Sequence, residues 1–407
     1  MHNDSMTRGL IRVTRLRGSY SQAARAALFV ATAAVLTACA DDTPTQPKAN
    51  IPEGGPKSVA MTWGMPIRPA NQPFPQKIGF VTGSPNGKQP YVQVYDKSGA
   101  QMARFRAFEE YNFTNGVDAT IGDVNGDGWP DIIVGEGAVN FGPYGSRFSV
   151  WDGRTGAWMG GFGIGLTYHG GYRVGAGDVD GDGKDEIFAC TGPSTEATRY
   201  SIIRYAPSVP QPPGSIPFGF VLGQETLGTF TGKNSYNGCR VSGGDLDGDG
   251  KDELIAAFEG PANTLVVRNL AKNSNIVRSN ALGAGYMGQI SVAAADVTGD
   301  KKTEIFLGRL TGSDKLPPVF MYNGSSVLAN STLPTPAIMY PIMNSIYNTG
   351  VYIAARDLSG DGIPELLAKM STTGGPSTYV ARMGPSFTTL WLNRTEPGPL
   401  PGGGPIG

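Results

Sequence analysis

A nonapeptide of the form Asp-x-(Asp/Asn/Ser/Thr)-x-Asp-Gly-x-x-(Asp/Glu) recurs along the chain, beginning at Asp123, Asp178, Asp245, Asp296 and Asp357. In order, the copies read DVNGDGWPD, DVDGDGKDE, DLDGDGKDE, DVTGDKKTE and DLSGDGIPE. They carry more than half of the 34 acidic residues of a 407-residue chain. So many carboxylates in one short turn repel each other unless a hard cation neutralises them, and oxygen ligands select calcium or magnesium. Calcium fits better, because it accepts about six to eight oxygens in a flexible shell where magnesium demands a near-ideal octahedron.

The spacing of the copies defines an internal repeat of about 50 to 60 residues, the range in which a chain builds arrays or propellers. Each loop is preceded by a strand-like segment (VDATIGD, YRVGAGD, CRVSGGD, ISVAAAD, VYIAARD) and followed by another (DIIVGEG, EIFACTG, ELIAAFEG, EIFLGRL, ELLAKM). Short β-branched runs around a glycine-rich turn argue for a hairpin with the acidic loop at its tip. A third strand follows as FSVWD, YSIIRY, TLVVRN, PVFMYN and STYVARM, and a fourth as segments such as WMGGFG and TLWLN. Four strands per period make a propeller blade. Ahead of the first loop, KIGFVTG, PYVQVYD and MARFRAF supply strands two to four of a loop-free blade, with KSVAMTWG as its first. The expectation is an all-β propeller of six four-stranded blades, with seven the runner-up, at residues 57–108, 118–162, 172–230, 239–280, 290–330 and 351–393. Acidic loops sit in the first hairpin of five of them. Separate calcium modules or an open β-solenoid are the alternatives, since a period alone does not close a ring.

Units such as GDVNGDGWPDIIVGEG, GDVDGDGKDEIFACTG and GGDLDGDGKDELIAAFEG, with the strand ends VYDKSGA and VWDGRTG, resemble FG-GAP repeats of integrin α-subunit propellers and their bacterial VCBS-type relatives. The resemblance spans about residues 77 to 370 and implies a propeller with metal loops. It implies little about role, because one scaffold carries many activities.

Within a loop, positions 1, 3 and 5 point into the concavity of the turn, glycine at position 6 lets the backbone reverse, position 7 offers a carbonyl, and position 9 closes the site. Loop one thus offers Asp123, Asn125, Asp127, Trp129 and Asp131; loop two Asp178, Asp180, Asp182, Lys184 and Glu186; loop three Asp245, Asp247, Asp249, Lys251 and Glu253. Loop four offers Asp296, Thr298, Asp300, Lys302 and Glu304, with Lys301 where glycine is expected. Loop five offers Asp357, Ser359, Asp361, Ile363 and Glu365. Up to five calcium ions are expected, held most strongly at the all-carboxylate loops beginning at Asp178 and Asp245 and most weakly at Asp296. Sites spread around a ring suit a structural role. A solvated acidic turn without metal is the alternative for each.

The chain opens with Arg8, Arg12, Arg15, Arg17 and Arg25, then an apolar run from Ala26 to Thr37 that is too short to span a bilayer, for which about 20 residues are wanted. Leu36-Thr37-Ala38-Cys39 resembles the lipobox of bacterial lipoproteins, which implies cleavage before Cys39 and its acylation. Residues 1–38 are thus expected to be an export signal and 39–56 a flexible tether, with the propeller at 57–394. Residues 395–407, rich in Pro and Gly, are expected to form a disordered tail. Asp41 and Asp42 come one place later than the aspartate that retains many lipoproteins in an inner membrane, so a Gram-negative origin implies the outer membrane. Export also makes a disulfide between Cys190 and Cys239 feasible, with two buried thiols as the alternative.

Formal charge is balanced, 33 Lys and Arg against 34 Asp and Glu, and no basic stripe points to nucleic acid. Behind the signal there is one histidine, His169, and there is neither a G-x-S-x-G elbow nor a glycine-rich phosphate loop. No catalytic residue is assigned. Aromatic residues recur just before first strands (Tyr168, Tyr172, Tyr236, Tyr286, Tyr347), where they either ring one face for binding or pack between blades. The reading favoured by the sequence is a monomeric, calcium-stabilised, lipid-anchored module that binds an envelope or extracellular protein or glycan. A calcium-dependent polysaccharide lyase or hydratase and a non-catalytic envelope scaffold are the alternatives.

Overall fold

A computed structural model of the chain describes residues 73–108, 114–139, 146–162, 168–205, 226–231, 236–260, 263–311, 318–339, 350–370, 378–383, 389–395 and 406–407. These all belong to the unit Trp63–Gly407; the unit Met1–Thr62, with the expected signal, Cys39 and the whole expected tether, lies outside them, as does the expected strand KSVAMTWG. No helix among the described residues is long and apolar enough to cross a membrane.

Among the described residues, twenty-three strands form antiparallel sheets in sequential order. The first sheet holds β1 (Ile78–Gly83), β2 (Tyr91–Asp96) and β3 (Gln101–Arg106). The second holds β4 (Val117–Gly122), β5 (Asp131–Glu136), β6 (Phe148–Trp151) and β7 (Trp158–Phe162), and the third β8 (Tyr172–Gly177), β9 (Glu186–Thr191), β10 (Arg199–Ile203) and β11 (Thr226–Thr231). Next come β12 (Cys239–Gly244), β13 (Glu253–Phe258), β14 (Thr264–Asn269) and β15 (Ser274–Arg278), then β16 (Ile290–Ala295), β17 (Glu304–Arg309), β18 (Val319–Asn323) and β19 (Ala337–Met339). The last sheet is β20 (Val351–Arg356), β21 (Glu365–Met370), β22 (Thr378–Met383) and β23 (Thr389–Thr395).

The fold is a β-propeller, but neither six nor seven four-stranded blades stands. Among the described residues, five sheets have four strands and the first has three. A second correction concerns the sheet begun by β16, whose fourth strand falls at Ala337–Met339, beyond the expected limit of 330. A one-and-a-half-turn helix, α1 (Gly324–Ala329), is inserted after β18, capped by Asn323, whose side chain accepts the Ser326 N–H at 3.0 Å. The cap satisfies one of the orphan donors at the helix start.

Second strands such as β13 (ELIAAF) are buried on both faces because each sheet is packed between two others, so they read as continuous apolar runs rather than as alternation. Successive sheets share cores: Val134 and Trp151 with Phe105 and Val92, Ile187 with Val150, Leu254 with Phe188, Ile305 with Ile255, and Leu366 with Phe306. The circuit closes where Ala354, Leu358 and Leu367 of the last sheet pack on Phe80 and Tyr95 of the first. Cys190 of β9 and Cys239 of β12 form a disulfide between adjacent sheets, with Cα atoms 5.7 Å apart.

The expected loose tail needs correcting at its far end. Ile406 is buried among Phe80, Tyr95, Ala354, Leu358 and Leu367, and it bridges Thr82 on the inner edge of β1. Val81 donates to the Gly407 carbonyl at 2.8 Å, and Gly407 returns the bond at 3.0 Å. Only glycine fits there, since a Cβ on Gly407 would lie 2.2 Å from the Ala119 oxygen. These two residues occupy the inner flank where the sequence placed a first strand. Residues 396–405 lie outside the described residues.

Candidate metal loops

All five acidic loops join the first and second strands of four-stranded sheets, so they emerge at one end of the inner strands. The position 1 carboxylate organises each turn from within. Asp178 Oδ1 accepts the N–H groups of Gly181 (2.7 Å) and Asp182 (3.1 Å), and its Oδ2 accepts that of Gly183 (2.9 Å); Asp123 and Asp245 repeat the pattern. Position 5 takes the N–H of position 7 in every loop: Asp127 from Trp129, Asp182 from Lys184, Asp249 from Lys251, Asp300 from Lys302 and Asp361 from Ile363. Position 6 has φ between +81° and +87° in the four loops with glycine there. Lys301 adopts φ +65° at that position, a left-handed conformation costing a non-glycine residue about 1–2 kcal/mol.

Position 9 lies deeper than a surface ligand. Asp131, Glu186, Glu253, Glu304 and Glu365 are all buried, and each accepts the backbone N–H of position 2, at 3.1, 3.0, 2.8, 3.2 and 2.7 Å respectively. Position 2 is itself a core residue, Val124, Val179, Leu246, Val297 or Leu358. The loop is thus pinned from below by an aliphatic plug and a buried carboxylate. The signal was present in the sequence, where position 2 is Val or Leu in every copy. Burial raises the carboxyl of Asp131 to about 8 and those of Glu186, Glu253 and Glu304 to about 7, because desolvation disfavours the charged form and neighbouring carboxylates add to it.

Two loops bring acidic oxygens together. Asp178, Asp180 and Glu186 each place one oxygen within 4.8 Å of the others, as do Asp245, Asp247 and Asp249. Asp182 and Glu253 stand outside these groups, and loops one, four and five form no such group among the described residues. The fit to a hard cation is clearest in loop three, where Asp247 Oδ1 is buried without a hydrogen-bond partner. An oxygen taken from water without replacement is costly, and a cation is one means of satisfying it. Basic side chains also reach the loops: Arg204 meets Asp180 and Glu186, Lys272 meets Asp247, and Lys97 approaches Asp357 at 3.7 Å.

The sequence did not reveal position 8. Asp185 of loop two donates its N–H to Asp123 O of loop one (2.9 Å), and its Oδ2 accepts the Asp123 N–H (2.7 Å). Asp252 of loop three treats Asp178 in the same way, at 2.7 and 3.1 Å. Thr303 of loop four keeps only the backbone bond, to Asp245 O at 2.8 Å. Loop five has Pro364, which has no N–H to give. Burial raises the Asp185 carboxyl to about 6 and that of Asp252 to about 7.

The inner strands enclose an axial channel of about 210 Å³. Asp118, Arg240 and Tyr352 line one end and Asp185, Asp252 and Arg356 the other. Arg240 pairs with Asp118 at 2.9 Å and stacks on Tyr352 with 5.0 Å to the ring centroid. The recurring aromatics mostly pack. Tyr168 and Tyr172 are buried with their rings 5.3 Å apart, Tyr168 donates to Gly192 O at 2.8 Å, and Tyr286 donates to Gln289 O at 2.5 Å. Tyr236 is 50 % exposed and Met287 66 %. The His169 side chain is exposed, and its carbonyl accepts the Val139 N–H. Tyr347 lies outside the described residues.

Fold and loops together define a propeller whose blades carry acidic-loop hairpins. The sequence matches the family described as FG-GAP-like repeat over residues 123–189 and 245–307, which contain loops one to four. No curated protein matches the chain. Among solved structures it is similar to AofleA from Arthrobotrys oligospora (TM-score 0.46, 10 % identity, covering 80 % of this chain and 88 % of that one) and to a triple arginine-to-alanine mutant of AofleA (0.45, 11 %, 80 % and 88 %). It is also similar to an ACO/RPE65 chimera (0.35, 8 %, 82 % and 92 %). Likeness at this level carries no argument about ligands.

Proposed function

We propose that the chain is a calcium-stabilised propeller serving as a binding or adhesion module at the cell envelope, tethered through acylated Cys39, with a glycan or protein as its partner. The observation that carries the calcium reading is the buried, unpartnered Asp247 Oδ1 between Asp245 and Asp249. Asp178, Asp180 and Glu186 would hold a second ion, and the remaining loops would use the ligands named from sequence. A bound cation supplies charge neutralisation, while the loop residues set the turn, exclude water beneath it and tie it to the core. Because the unfolded chain lacks such sites, occupancy adds to folding free energy, by about 2.7 kcal/mol for one site filled at 100 times its dissociation constant.

Melting in excess calcium and in EDTA, with elemental analysis of dialysed protein, tests the metal reading. A lower melting temperature in EDTA and bound calcium are expected; an unchanged melting temperature with no metal would defeat it. A polysaccharide and envelope-protein array scored for both retention and unsaturated products tests the binding role. Retention without turnover is expected, and turnover would replace the module with an enzyme. Palmitate labelling of the parent and of Cys39→Ala tests the anchor, since equal labelling would remove it.

A further inference from the structure

We infer that Arg204 is a built-in counter-cation of loop two, and that the residue facing position 9 of a loop sets how tightly that loop holds calcium. The inference rests on the calcium reading above. Strand register identifies the residue in question. Ile187 pairs with Ile203, Leu254 with Arg268, Ile132 with Trp151 and Glu304 with Asn323. At the ninth position itself, the facing residue is therefore Asp152 in loop one, Arg204 in loop two, Asn269 in loop three and Asn323 in loop four.

Those side chains act on the buried carboxylate. Asn269 Nδ2 donates to Glu253 Oε1 at 2.5 Å, and Asn323 Nδ2 to Glu304 Oε1 at 3.4 Å. Asp152 instead brings a further carboxylate to loop one, where Asn125 Nδ2 donates to its Oδ2 at 3.5 Å. Arg204 donates from Nε to Glu186 Oε1 at 3.2 Å and from Nη2 to Asp180 Oδ2. Asp180 and Glu186 are two of the three residues whose oxygens converge in loop two. A guanidinium presents its donors in a rigid planar fork, so it spans the two carboxylates that a divalent ion would have to share.

Loops two and three have the same ligand types at every position; they differ only at position 2, Val179 against Leu246. Their nonapeptides alone therefore assign them equal strength. Loop three also meets a basic residue, Lys272 on Asp247, but that side chain is 60 % exposed and makes a single-point contact on a flexible stem, whereas Arg204 is 31 % exposed and spans two ligands. Calcium displaces the lysine readily and meets resistance from the arginine. Loop three is accordingly tighter than loop two, which fills later.

Calcium titration of the full chain by calorimetry and terbium luminescence, alongside Arg204→Gln, Arg204→Lys and Lys272→Gln, tests this. Removing the guanidinium should tighten one site about tenfold or more, the size expected when one unit charge a few ångströms away is removed. Adding Asp178→Ala should abolish that gain. Arg204→Lys should fall between parent and Arg204→Gln, and Lys272→Gln should shift its site less than about threefold. Melting curves of each variant in EDTA identify any that fails to fold, and the lysine variant then carries the comparison. Calcium bound by parent and arginine variants with the same affinities would overturn the role of Arg204 while leaving the calcium reading intact. No calcium bound by any of them would overturn both.

Discussion

The joint between the sheets of loops two and three and the joint between those of loops four and five use the same loop position with opposite consequences. Asp252 closes the first with two hydrogen bonds to Asp178, and the Cys190–Cys239 disulfide crosses the same pair of sheets. At the second, Pro364 stands where Asp252 would be and has no N–H. Loop four, with Thr303, is intermediate. Repeats that look alike in sequence are thus joined unequally, and the ring has a strongly stitched arc from loop one to loop three and a plainer arc beyond it.

The disulfide offers the largest break in that contrast. Replacing both Cys190 and Cys239 by Ala should cost about 4 kcal/mol in the chain-entropy account for a loop of this length, read as a lower denaturant midpoint. A loss below about 1 kcal/mol would mean the stitched arc owes little to it. Next comes position 8. Asp252→Ala removes a carboxylate acceptor from a backbone N–H and should cost about 2 kcal/mol, whereas Thr303→Ala, which keeps its backbone bond, should cost under about 1 kcal/mol. Equal losses would erase the distinction between the arcs.

Smaller is the exchange at position 6. Lys301→Gly relieves a left-handed lysine at the price of unfolded-state entropy, for a net gain of about 0.5–1 kcal/mol, while Gly250→Lys should cost about 1–2 kcal/mol. Melting temperatures moving the same way in both variants would rule out backbone strain as the difference between loops three and four.

The subtlest contrast is in pH. The Asp185 and Asp252 carboxyls are raised, chiefly by burial, to about 6 and about 7. A carboxyl raised above its unfolded value contributes stability that is complete below the unfolded pKa and is lost as pH climbs through the folded one. In metal-free protein, amide protection of Asp123 and Asp178 should therefore fall between about pH 4 and 7 by more than that of Thr303, whose loop shares only the fall that the raised position 9 carboxyls impose on loops one to four alike. Hydrogen exchange corrected for intrinsic rates measures it, and a uniform fall around the ring would contradict it.

The hairpins were legible because each carries its own evidence: β-branched flanks, a glycine where the turn needs positive φ, and acidic residues four positions or fewer apart. Their packing into a propeller was legible from the repeat. The fourth strand at Ala337–Met339 was not, because the six-residue α1 is too short to show a helical period. Nor was the role of Asp185 and Asp252, since their partners are 62 and 74 residues away and belong to another copy of the repeat. Arg204 was hidden for a related reason. It lies outside the nonapeptide and becomes part of the loop only through the pairing of β9 with β10.

The seating of Ile406 and Gly407 on β1 has a mechanical consequence. β1 pairs with β2 over five registered residues on its outer side, but its inner side is held by the two backbone bonds between Val81 and Gly407 and by one isoleucine side chain. A pull applied ahead of Ile78 reaches that strand after Phe74, which is buried in the core shared by the first two sheets. Rupture there would free the inner edge of β1 without breaking a strand pairing of any loop-bearing sheet, and its timing would be set by a barrier to detachment rather than by the equilibrium stability of the whole.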